Sequence, residues 1–91
     1  MAEQVVKVDI FGQSLVLRTE ADEPFARELA RFVDERVRRA AHQSPEPLKV
    51  ALLAALNITG ELFEVRQQME VERREISRRA ERILQMVERA L

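Results

Sequence analysis

The chain has no cysteine, tryptophan or tyrosine, and only one histidine, two glycines and three prolines in 91 residues. Each shortage closes off some chemistry. Without cysteine there are no disulfides, no thiolate metal sites and no cysteine nucleophile. One histidine, His42, leaves little for a metal centre or a histidine-based triad, and no metal or cofactor is expected. Two glycines, Gly12 and Gly60, do not make a phosphate-binding loop. Charge of one sign is also missing: 15 basic residues face 16 acidic ones, for a net charge of −1. That removes the usual electrostatic drive toward nucleic acid or an anionic membrane. No apolar run approaches ~20 residues, so no membrane-spanning helix is expected. The opening MAEQVVKVDIFG has no basic stretch leading into a long apolar core, so no signal peptide is expected. These features describe a soluble, cytoplasmic protein.

What is present falls into two halves. In residues 4–11, Val6, Val8 and Ile10 alternate with Val5, Lys7, Asp9 and Phe11, the period of a strand. Gly12-Gln13 suits a two-residue turn. Ser14 to Arg18 returns as a second strand, with Leu15 and Leu17 on one face. A lone hairpin is marginal in water, so it must lean on a helix or another chain. Asp22 is placed to cap a first helix, and Pro24 fits its first turn. Phe25, Leu29, Phe32, Val33, Val37 and Ala40 form an apolar stripe predicted to cover the hairpin. Ser44 and Pro45 are predicted to open a second helix.

From Leu48 to Leu91 no proline interrupts a stretch rich in helix formers. It reads as one helix of roughly 45 residues, about 65 Å long. A globule of this chain length has a radius of gyration of only about 12 Å. Much of such a helix is therefore either bare or covered by another copy. Leu62, Val65, Met69, Ile76, Ala80, Ile83 and Val87 share an arc of roughly 60° on the helical wheel, a coiled-coil seam interrupted at Glu72 and Arg73. Burying one Leu or Ile stabilises by about 1.5–3 kcal/mol. An exposed pair such as Glu70–Arg74 or Glu75–Arg79 adds only about 0.2–0.5 kcal/mol. Association is thus expected to win, giving an obligate oligomer. The fold class is α+β: residues 1–47 form a hairpin-and-helix head, and residues 48–91 form the long helix. Its first part packs on the head and the remainder enters the coiled coil. Leu48 to Phe63 is apolar nearly all round, which suits burial against the head and a partner. Asn57 could set helix register there, and Gly60 could allow a close crossing; both read as structural.

No constellation supports catalysis. The serines are Ser14, Ser44 and Ser77, and none has the surroundings of a nucleophile elbow. The carboxylates pair with arginines at helical spacing and read as a solvated face. His42 reads as a helix-end residue. Arg74, Arg78, Arg82 and Arg89 line up opposite the seam. They offer an alternative reading as phosphate contacts of an oligomeric nucleic-acid-binding protein, but Glu70, Glu75, Glu81 and Glu88 border them. A solvated outer face of a coiled coil is the plainer account.

Val8-Asp9-Ile10-Phe11-Gly12, then Leu15 and Arg18, then Ala54-Ala55-Leu56-Asn57-Ile58 followed by Glu61-Leu62, resembles the ZapA family of bacterial cell division proteins in order, spacing and total length. The resemblance implies dimers that pair into tetramers through their long helices. It implies heads that bind the tubulin-like GTPase FtsZ, cross-link its protofilaments and stabilise the division ring at midcell. It implies no enzymatic activity and no cofactor. Head positions near the Phe-Gly turn and the start of the long helix are implicated in binding. The candidates on this chain are Gln13, Arg18, Lys49 and Leu53, with core packing an equal reading for Leu53. Some members carry basic residues just after the turn, where this chain has Gln13 and Val16. A coiled-coil adaptor for another partner stays open as a third reading.

Overall fold

A computed structural model describes residues 2–91. The elements run β1 (Gln4–Ile10), β2 (Gln13–Thr19), α1 (Glu23–Ala40) and α2 (Pro47–Ala90). The α+β class and the order of hairpin, shorter helix and longer helix agree with the sequence reading. The chain divides into two compact units, one ending at Ile58 and the other covering Thr59–Leu91. The first therefore includes the opening turns of α2.

In the first unit, β1 and β2 pair antiparallel with Val6 opposite Leu17, Val8 opposite Leu15 and Ile10 opposite Gln13. That register corrects the expected turn by one residue. The two-residue connection is Phe11-Gly12, not Gly12-Gln13. Both residues take positive φ, 51° at Phe11 and 77° at Gly12. A tight hairpin turn of this hand requires that, because it matches the twist of the strands. Alternation cannot decide whether Phe11 ends the strand or opens the turn.

Alternation does fix the faces. Val6 and Val8 are buried, with Ile10 and Leu17 half-buried beside them. The helix covering them keeps part of the expected stripe, Val33, Val37 and Ala40, but not its bulky members. Ala26 and Ala30 complete the cluster, while Phe25, Leu29 and Phe32 stay 51%, 51% and 41% exposed. The inward stripe is Ala26, Ala30, Val33, Val37 and Ala40, spaced by threes and fours; Val33 and Val37 are half-buried. Small alanines let the helix axis approach a two-stranded sheet whose valines already supply the volume. Reading by side-chain size selected the bulky flank instead.

Asp22 caps α1 as expected, its carboxylate accepting from the Phe25 N–H at 2.9 Å. The start of α2 differs from expectation. Pro47, not Pro45, is its first residue. A residue preceding proline is pushed out of the helical region, so Glu46 cannot join the helix. Its carbonyl instead accepts the first helical bond, from the Val50 N–H at 3.0 Å. The Ser44 hydroxyl accepts from the Glu46 N–H at 3.2 Å, which shapes the approach and leaves Ser44 outside the capping position. Val50 and Ala54 of α2 then bury against Ala40, with Val37, Ala41 and Leu53 around them, forming a second small core.

In the second unit no residue is buried, and only Glu61 and Glu70 are even half-covered. The helix is held by its own backbone ladder and by ion pairs along its surface.

Candidate protein-interaction surfaces

The hairpin turn is tied to α1 by one carboxylate. Oδ1 of Asp34 accepts from the Phe11 N–H at 2.7 Å, and Oδ2 accepts from Nε of Arg38 at 2.9 Å. The Arg38 guanidinium also lies 5.9 Å from the centre of the Phe11 ring. Hydrogen bonding from Arg38, then from the Phe11 N–H, holds the Asp34 carboxyl below its ordinary pKa. The same pairing raises Arg38. Below the turn, the Ser14 hydroxyl donates to Asp9 Oδ1 at 2.7 Å across the strands. Arg27 donates to the Lys7 carbonyl at 3.2 Å while pairing with Glu23 at 2.8 Å. Two charged side chains of α1, Asp34 and Arg27, therefore hold the backbone of the hairpin.

The candidate binding residues fall in different places. Gln13 opens β2 directly after the turn, on the face shared by Ile10. Arg18 pairs with Val5 in register, on the opposite face of the sheet. Lys49 stands exposed in the first turn of α2 and pairs with Glu46 at 3.4 Å. Leu53, one turn further on, is half-buried against the second core. The hairpin thus separates Gln13 from Arg18. The outer face bearing Arg18 also shows Val5 and Val16, each 66% exposed.

The seam residues of the second unit all stand open. Leu62, Val65, Met69, Ile76, Ile83 and Val87 are between 46% and 67% exposed, and Ala80 is exposed with them. Charges flank them in pairs. Glu70 holds Arg73 at 2.9 Å and Arg74 at 3.4 Å, and Arg79 holds Glu75 at 3.4 Å. Hydrogen bonding and charge from Arg73, with Arg74 adding to them, lower the Glu70 pKa. Arg74, the first member of the arginine stripe, is thus tied to a carboxylate. Asn57 is exposed, and nothing within 4 Å would meet a Cβ added at Gly60. His42 lies in the turn after α1, exposed.

Asp34 was not singled out by the sequence. Its pairing with Arg38 four residues on is a legible helical pattern. Its bond to Phe11, 23 positions away, is visible only in the folded chain.

Among the described residues, no helix is long and apolar enough to cross a membrane. No curated protein and no solved structure matches the chain. The family model described as Cell division protein ZapA matches residues 6–90. That match begins at the first buried valine and runs through both strands and both helices, and on that footing the chain belongs to the ZapA family of cell division proteins.

Proposed function

We propose that this chain is a non-enzymatic cross-linker: its heads bind FtsZ, and its α2 helices zip copies into dimers that pair as tetramers. A two-ended oligomer engages two protofilaments at once. Effective concentration then raises the avidity of heads that bind weakly alone. On this reading the protein acts at midcell in the cytoplasm, aligning and bundling filaments of the division ring. Gln13, Arg18, Lys49 and Leu53 are the candidate FtsZ contacts. Family membership supports the role in cell division.

The observation that carries the oligomer is the exposed seam. In the unit from Thr59 onward no residue is buried, and Leu62, Val65, Met69, Ile76, Ile83 and Val87 are between 46% and 67% exposed. Apolar side chains in that number at heptad spacing gain about 1.5–3 kcal/mol each when a second copy covers them fully.

Co-sedimentation tests the reading. The purified chain is expected to pellet with GTP-assembled FtsZ and to raise its light scattering. Unchanged pelleting and scattering across a range of ratios would overturn it. Sedimentation equilibrium tests the oligomer separately, and a folded monomer at micromolar concentration would remove the bridging role.

A further inference from the structure

The turn at Phe11 has an unusual composition. Both central residues of such a turn need positive φ, for which Asn-Gly or Gly-Gly is the economical choice. Phe11 adopts φ 51° with a bulky side chain, a conformation uncommon outside glycine and asparagine. Strain of this kind persists only where surrounding contacts over-determine it, and it gathers at functional sites. Here the contacts are visible. The Asp34 carboxylate takes the Phe11 N–H at 2.7 Å and anchors Arg38, whose guanidinium stands by the ring. Yet the ring does not repay the strain by filling the core. It is 41% exposed and lies outside the cluster of Val6, Val8, Ala26 and Ala30. The head thus spends a charged clasp to display an aromatic ring.

We infer that Asp34 is a positioning residue, holding the Phe11 ring and the Arg38 guanidinium together as one recognition unit for a partner segment that presents an apolar side chain beside a carboxylate. The ring offers apolar area at low conformational cost. Nε of Arg38 is committed to Asp34, while the side chain as a whole is 61% exposed, and a guanidinium in that state has further donors for a carboxylate to accept. The inference rests on the reading of the chain as an FtsZ-binding protein and adds to it which head residues act and how.

The test uses the full chain in co-sedimentation with GTP-assembled FtsZ, at a temperature where circular dichroism shows each variant folded. The parent is expected to pellet. Asp34→Ala and Phe11→Gly are each expected to weaken pelleting several-fold, and the double variant no further than either, because both act through one element. Asp34→Asn keeps an oxygen for the Phe11 N–H and is expected to restore part of the loss. Arg38→Gln, which removes the charge, is expected to weaken pelleting as well. Thermal unfolding gives an independent reading. Asp34→Ala should lower the midpoint of the parent and of the Phe11→Gly variant alike, because glycine keeps the backbone N–H that Asp34 accepts and Arg38 is unchanged. Asp34→Ala pelleting like the parent would overturn the inference and leave FtsZ binding standing. Additive losses in the double variant would also overturn it. Full binding by Arg38→Gln would remove the carboxylate from the partner. A parent that does not pellet would overturn the FtsZ reading and this inference together.

Discussion

The two units of the chain solve the same problem in opposite ways. The head unit buries small side chains, Val6, Val8, Ala26, Ala30, Ala40, Val50 and Ala54, and fixes its hairpin with hydrogen bonds between its backbone and the charged side chains of Asp34 and Arg27. The unit from Thr59 onward buries nothing, although it carries Leu62, Met69, Ile76 and Ile83. Apolar content therefore does not distinguish a core from an open surface. Placement does: an alanine facing a sheet is covered within one chain, whereas Ile76 and Ile83 stand exposed, where the proposed oligomer would cover them. The head buries its apolar contacts within the chain, and the proposal assigns the cover of the seam to association.

Substitutions can break that contrast or sharpen it. The largest effect is expected from Ile83→Lys. It removes about 1.5–3 kcal/mol of burial per copy from the seam and places a charge there. Sedimentation should give a smaller mass while the circular dichroism of the head persists; an unchanged mass would refute the seam assignment. Ala30→Leu comes next. Added methylenes have no room where α1 meets β1, and a destabilisation of about 1–3 kcal/mol is expected in denaturant unfolding. Ala80→Leu makes the same chemical change in the seam and should leave the oligomer intact or tighten it. Equal destabilisation by both would erase the distinction between the units.

A smaller effect concerns pH. The Asp34 pKa is lowered on folding from its ordinary 3.8, so the folded state holds fewer protons there than the unfolded state. Its contribution to stability is complete above that ordinary value and is lost as the pH falls through the lower folded one. Glu70 behaves likewise, starting from 4.5. Asp34→Asn should flatten the acid limb of head unfolding followed between these regions, and Glu70→Gln should leave that limb alone. The smallest effect is expected from Glu75→Gln. Its pair with Arg79 is solvent-exposed, and a loss of about 0.2–0.5 kcal/mol is expected in unfolding at low salt.

Much of this fold was legible in the residues. The alternation of Val6, Val8 and Ile10, the cap at Asp22 and the unbroken run after Leu48 located all four elements. What escaped was decided by contacts rather than by pattern. The turn moved to Phe11-Gly12 because cross-strand register, invisible in one strand, sets it. The inner face of α1 rotated to its alanines because close approach outweighed side-chain bulk. Helix α2 began at Pro47 because two prolines compete and only the second lacks another proline ahead of it. The candidate site was less legible still. Gln13, Arg18, Lys49 and Leu53 follow from resemblance, and the hairpin puts the first two on opposite faces. Asp34 carries no sequence signal for its partner 23 residues away.

The bond between Asp34 and Phe11 also has a spectroscopic consequence. With neither tryptophan nor tyrosine, the chain offers almost no native fluorescence with which to follow a ligand. An amide proton donated over 2.7 Å to an ionised carboxylate should resonate far downfield of its neighbours. The Phe11 proton would then be a built-in probe, its frequency reporting the state of the hairpin tip without any label.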